Sequence, residues 1–277
     1  MSTAPLPSAP LPSAPPTGGA VRVLLPRPSG RGSGLAELLR AQGLHPEHHP
    51  VVELRLHDDA PMREAVARLA AGEVEHLVLT SPRAVEALAA ITADALRIPP
   101  AVTVTVVGEG TASALREHGH EPDRIADGSG AALVELFPDA SAPPAEAVGS
   151  GAVARPRVLF PASAAAAPTV PDGLECNGYT VDRVTAYSPH PIQPPPQAVD
   201  DLRAGAYRAV VLTSAMIARI IAELGVHPGT GVVTIGDPTS AAARAAGLTV
   251  HAQATAPTDQ ALAAAVRAVL DPPQEPR

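Results

Sequence analysis

The chain repeats itself, and that repeat limits its fold more than any other feature. Arg22-Val23-Leu24-Leu25-Pro26 returns as Arg157-Val158-Leu159-Phe160-Pro161. Leu79-Thr80-Ser81 and Val107-Gly108-Glu109-Gly110-Thr111 return as Leu212-Thr213-Ser214 and Ile235-Gly236-Asp237-Pro238-Thr239. Each member of the second set precedes an Ala-rich segment, so the order is A, B, A′, B′. Short apolar runs alternating with helical segments specify two similar α/β units of the doubly wound kind, each with a parallel sheet and crossover helices. The expected fold class is α/β, with two flavodoxin-like lobes.

The order of the segments bears on how the units pair. Both A and A′ run on into a strand, Val51 to Leu56 after the first and Tyr179 to Pro189 after the second. In the second strand the alternation at Val181, Arg183 and Thr185 is that of a half-buried strand. These two form a two-stranded hinge ladder if the chain path is crossed, with A joined to B′ and B to A′. The expected lobe 1 then comprises residues 21–47 and 190–270, and lobe 2 residues 58–178. The hinge strands take residues 48–57 and 179–189. Residues 1–20, a repeat of Ala-Pro-Leu-Pro-Ser, read as a disordered leader, residues 138–156 as a flexible insertion, and 271–277 as a tail.

Composition agrees. A chain of 277 residues that is 45% apolar can form two ordinary cores, and with only 2% aromatics and no Trp those cores must be filled by Ala, Val and Leu. The net charge is -8 and every basic residue is Arg, which argues against a broad nucleic-acid-binding face. A single cysteine, Cys176, excludes an internal disulfide and reads as an inert thiol in a reducing compartment. The start has neither a basic end nor an unbroken apolar core, and no stretch approaches the roughly 20 apolar residues of a membrane span. The expectation is a soluble, cytoplasmic protein with no membrane partner.

Ligands of open α/β sheets sit at the carboxyl ends of the strands, so the loops at Arg27, Thr80, Gly108, Pro161, Ser214 and Gly236 are expected to face a shared cleft. Thr80, Ser81, Thr111, Ser214 and Thr239 read as helix N-caps first, with exposed amides that suit an anion. Arg27 and Arg83 add candidate bidentate partners, while Arg31 reads as solvated. Gly108-Glu109-Gly110-Thr111-Ala112-Ser113 approximates a dinucleotide fingerprint, but Ser113 replaces its last glycine and the counterpart at Gly236 lacks the middle one. His45, His48 and His49 lie in what reads as a Pro-flanked loop with no carboxylate pattern for a metal. No catalytic triad, Cys/His pair or metal motif is apparent. Two functions fit at this point, an enzyme and a non-catalytic two-lobe sensor that closes on a small anionic ligand.

Taken together, these stretches resemble the uroporphyrinogen-III synthase family over residues 21–270. The carriers are Leu79-Thr80-Ser81 with Ala84-Val85, Gly108-Glu109-Gly110-Thr111-Ala112, Leu159-Phe160-Pro161, the Tyr187 strand, Leu212-Thr213-Ser214, Ile235-Gly236-Asp237-Pro238-Thr239 and Ala256-Pro257-Thr258. It is their succession that is specific. The resemblance implies two lobes joined by a ladder with the crossed path, and closure of the linear tetrapyrrole hydroxymethylbilane with inversion of ring D and loss of water. It implies a monomer with no metal or organic cofactor. Tyr187 becomes the catalytic hydrogen-bond donor, and Arg27, Thr80, Ser81, Arg83, Gly108, Thr111, Pro161, Ser214, Gly236 and Thr239 the substrate-binding set. Two departures stand out. Ala162 to Ala167 is neutral where the family often has a basic residue, and Ser240 stands where Ala is commoner.

Overall fold

The computed structural model describes residues 20–30, 33–92, 95–140 and 155–271. The expected leader, most of the insertion over 138–156, most of the tail and Arg31 lie outside the described residues. In chain order the elements are β1 (Arg22–Leu25), α1 (Ser33–Ala41), β2 (His45–His48), β3 (Val52–Leu56), α2 (Ala60–Ala71), β4 (His76–Leu79) and α3 (Pro82–Ile91). Then come β5 (Thr103–Val107), α4 (Gly108–Glu117), β6 (Arg124–Ala126), α5 (Gly130–Glu135), β7 (Arg157–Ser163), α6 (Thr169–Cys176) and β8 (Thr180–Pro191). The last are α7 (Pro196–Ala204), β9 (Ala209–Leu212), α8 (Ala215–Leu224), β10 (Gly231–Thr234), α9 (Asp237–Ala245), β11 (Ala252–Gln253) and α10 (Asp259–Leu270).

Two units result. The first holds the described residues up to Glu53 and from His190 onward, and the second is Leu54–Pro189. In the first, the strand order is β2-β1-β9-β10-β11 with every ladder parallel. That is the 2-1-3-4-5 order of flavodoxin-like sheets. In the second, the order β8-β7-β4-β5-β6 is likewise parallel. If β7 is counted as its first strand and β4 as its third, the same 2-1-3-4-5 order appears. The repeat thus has a physical meaning: β1 matches β7 and β9 matches β4, with the chain entering the second copy at its third strand. The crossed path follows from that permutation.

Strand alternation distributes the cores. In the first unit Val23, Leu25, Val211 and Val233 pack with Leu35 and Leu39 of α1 and Leu262 and Val266 of α10. Leu24, Val210, Leu212 and Val232 face the other way, onto Leu202 of α7 and Ile217 and Ile221 of α8. All four residues of β9 and of β10 are buried, as expected of parallel strands covered on both faces. The second unit repeats the scheme. Leu77, Leu79, Val104 and Val106 pack under α2, α3 and α4, while Val78, Val158 and Phe160 pack with Leu133 of α5 and Val170 and Leu174 of α6.

Three details differ from the sequence reading. His45–His48 is an edge strand paired parallel with β1, because the Leu44 side chain and the β1 ladder draw the segment into the sheet despite Pro46. Gly108 to Thr111 is the first turn of α4, not a separate turn before it. In β8 the buried residues are Val184, Ala186 and Tyr187, not the face of Val181, Arg183 and Thr185, since α2 covers the former side. The six-stranded sheet ends in β3 beside β8. His57 N donates to Ala186 O and Ile192 N to Val51 O, both at 2.9 Å, so these two strands run antiparallel.

Candidate functional site

Register fixes which residues share the carboxyl edge of the second unit's sheet. Leu79 pairs with Val106, Leu77 with Leu159, and Ser163 with Tyr187. Counting onward from those pairs brings Ser81, Gly108, Ser163 and Tyr187 to one level, with Thr80 one residue before it. Tyr187 arrives there through a β-bulge. Pairing of β7 with β8 runs one to one from Arg157 with Thr180 to Ala162 with Thr185, then skips Ala186. Strict alternation would have put Tyr187 on the face opposite Ala186, but the extra residue turns it onto the same face, where Val184, Ala186 and Tyr187 share one core. Tyr187 is 9% exposed. Its hydroxyl has no hydrogen-bond partner among the described residues and is not a buried orphan.

The strand-to-helix junctions fall into two kinds, and the repeat shows in them. Ser81 caps α3, its Oγ accepting from Arg83 N at 3.2 Å, and Ser214 caps α8, its Oγ accepting from Ile217 N at 3.2 Å. By contrast α4 follows Val107 and α9 follows Gly236, and neither has a side-chain cap. The repeat thus matches serine-capped α3 with serine-capped α8, and α4 with α9, whose first-turn N–H groups have no side-chain acceptor at the cap position and are suited to an anion. Thr80 precedes the Ser81 cap, and Thr111 and Thr239 are not caps either, contrary to the sequence reading. Thr111 and Thr239 lie inside the first turn, 2% and 3% exposed, because a helix that starts at Gly108 or Asp237 carries the fourth or third residue round to its buried face.

The arginines are engaged. In the first unit Arg27, two residues beyond β1, has its Nη1 2.9 Å from Asp259 Oδ1 at the start of α10, and its carbonyl lies 2.7 Å from His48 Nε2. In the second, Arg83 pairs with Glu86 one turn along α3. Pro161 is not in a loop: it is buried within β7 opposite Val184, just beyond Leu159, the last β7 residue in the β4 ladder. A proline lacks the N–H that a two-sided ladder would need there.

Four residues near Tyr187 were not legible as site residues. Arg183, on the exposed side of β8, reaches the loop after β7, its Nη2 3.4 Å from Ser163 O and 3.0 Å from Ala166 O. It has no carboxylate partner among the described residues, and it brings a positive charge to the segment that the sequence leaves neutral. Ser188, next to Tyr187, has its Oγ 2.8 Å from His57 Nε2, and His57 Nδ1 lies 3.2 Å from Asp59 Oδ2. Only Asp59 carried a signal, as the cap of α2: its Oδ1 accepts from Met62 N at 3.1 Å. The Met62 N–H first, and His57 second, hold its carboxyl below the usual range. Among the described residues no cluster of His, Cys, Asp and Glu could hold a metal ion, and no helix is long and apolar enough to cross a membrane.

The fold has solved counterparts. A mutant uroporphyrinogen III synthase from Thermus thermophilus aligns over 91% of this chain and 99% of its own with a TM-score of 0.54 at 20% identity. Uroporphyrinogen-III synthetase from Helicobacter pylori aligns over 91% and 100% with a TM-score of 0.57 at 13% identity. At such identities the likeness is one of fold. No curated protein matches the chain. The family model described as uroporphyrinogen-III synthase HemD matches residues 33–264, from the start of α1 into α10 and so across both units. This chain belongs to the uroporphyrinogen-III synthase family.

Proposed function

We propose that this chain closes hydroxymethylbilane to uroporphyrinogen III, with Tyr187 assisting departure of the substrate's hydroxyl. The family match over residues 33–264 carries this reading. In the reaction the hydroxymethyl group loses its oxygen as water, leaving an azafulvene-like cation. The far ring attacks at its already substituted carbon, and the resulting spiro species fragments and recloses with that ring inverted. The substrate supplies the driving force, so the protein's contribution is a folded near-attack geometry and a hydrogen bond at the departing oxygen. Tyr187 suits that donor role because the bulge sets it at the carboxyl edge of the sheet with a hydroxyl that no protein group engages among the described residues.

The substrate's carboxylates meet an acidic protein, so local donors must hold them. The uncapped starts of α4 at Gly108 and α9 at Gly236 serve first, each favourable contact contributing about 0.3–1 kcal/mol. Thr80, Ser81 and Ser214 add hydroxyls and amides, and Arg183 a guanidinium without a carboxylate among the described residues. Arg27 and Arg83 take part while shared with Asp259 and Glu86. Thr111 and Thr239 act through their backbone, and Pro161 through the placement of Ser163. In this reading the chain works as a cytoplasmic monomer. No observation favours the sensor alternative. Supplying purified protein with hydroxymethylbilane and separating the product isomers tests the proposal: isomer III is expected, and isomer I alone, the uncatalysed product, refutes it.

A further inference from the structure

The conversion needs a proton acceptor as well as a donor. The hydroxyl leaves with its electron pair and takes a proton to become water, while the ring carbon that forms the last C–C bond must lose its own proton to restore an aromatic pyrrole. Tyr187 answers the first requirement only. The residue beside it answers the second.

Ser188 Oγ lies 2.8 Å from His57 Nε2, and His57 Nδ1 lies 3.2 Å from Asp59 Oδ2. A carboxylate only accepts, so the imidazole proton resides on Nδ1, and Nε2 accepts from the Ser188 hydroxyl. Both ends of this chain are fixed. Asp59 is tied to the start of α2 through Met62 N, and His57 to β8 through its backbone bond to Ala186 O. The nearby Asp58 is occupied by Arg63, at 2.7 and 3.0 Å. His57 is partly exposed, 29% for its side chain, so it can return a proton to water.

We propose that Ser188, His57 and Asp59 form a proton-accepting relay for the cyclisation, with Ser188 Oγ as the atom that meets the substrate. As the ring C–H bond breaks, its electrons return to the pyrrole, the proton passes to Ser188 Oγ, and the Ser188 proton passes to His57 Nε2. Asp59 stabilises the imidazolium, which then releases a proton to solvent. No redox step or added reagent is involved. Ser188 is the catalytic residue of this relay, and His57 and Asp59 are positioning residues. The inference rests on the cyclase reading above.

The test compares wild type, Ser188→Ala, His57→Gln, the double variant and Ser188→Thr, each with hydroxymethylbilane and each checked for an unchanged melting temperature. The relay predicts that either single change lowers kcat about 100-fold with KM within about twofold. The double variant should be no slower than the slower single, as for groups that act as a unit, and Ser188→Thr should keep most of the rate. Folded single variants with wild-type kcat, or losses that multiply in the double variant, overturn the relay while leaving the cyclase reading intact. A wild-type protein that forms no isomer III overturns both.

Discussion

Glu47→Gln should destabilise the first unit at neutral pH and lose that effect in acid. Arg22 holds Glu47 in a two-point pair, Nε to Oε1 at 2.5 Å and Nη2 to Oε2 at 2.8 Å, and also reaches Asp201 Oδ2 at 2.7 Å. Tyr207, fully buried, donates to the same Glu47 Oε2 at 3.1 Å, and the guanidinium carbon lies 4.5 Å from its ring centre. One carboxylate thus joins β1, β2 and the segment after α7. The Arg22 guanidinium above all, then the Tyr207 hydroxyl, hold the Glu47 carboxyl at about 2 against an ordinary 4.5. At about 1.4 kcal/mol per tenfold, that depression favours the folded chain by about 3 kcal/mol. Because the folded value is the lower one, the contribution is complete above pH 4.5 and disappears as pH falls towards 2. Glutamine keeps one acceptor, so a loss of about 2–3 kcal/mol is expected at pH 7. Urea unfolding of both proteins between pH 7 and about pH 2.5 measures the difference directly. A difference below about 0.5 kcal/mol at pH 7, or one that does not shrink in acid, refutes the reasoning.

Two further predictions concern packing. Thr105 is fully buried in β5 and its Oγ1 has no partner among the described residues, so Thr105→Val, equal in shape, should stabilise the protein by about 1 kcal/mol; a lower urea midpoint would contradict this. A Cβ added at Gly231 meets Val269 Cγ1 at 2.3 Å and Arg208 O at 3.3 Å, so Gly231→Ala should destabilise by about 1–3 kcal/mol by the same assay, and an unchanged midpoint would show that α10 yields easily.

The fold was legible because its signals are local and doubled. The Arg22 and Arg157 runs and the two Leu-Thr-Ser stretches mark matching strands, and short apolar runs that alternate with helical segments fit strands buried on both faces. His45–His48 was not legible, because Pro46 and two histidines deny it strand character and only the β1 ladder imposes it. The helix caps were legible where local backbone chemistry makes them, as at Ser81 and Ser214. Tyr187 could be placed on the strand but not on a face, since its orientation depends on the bulge at Ala186, which no residue type announces. The partners of Arg27, Arg83 and Ser188 come from elsewhere in the sequence or depend on side-chain direction, and a sequence read along one dimension cannot supply either.

The most direct test of the mechanism replaces Tyr187 with Phe. The hydroxyl lacks a protein partner among the described residues, so its removal should leave the core of Val184, Ala186 and the ring undisturbed, with a melting temperature close to wild type. A donor that acts only as charge develops on the departing oxygen lowers the barrier without tightening binding, an effect of about 100- to 10,000-fold in general acid assistance. Single-turnover rates with hydroxymethylbilane, alongside isomer analysis, should show a loss near the lower figure, unchanged substrate binding, and isomer III as the remaining enzymatic product. A folded Tyr187→Phe protein that turns over at the wild-type rate would contradict the account and make Tyr187 a packing residue.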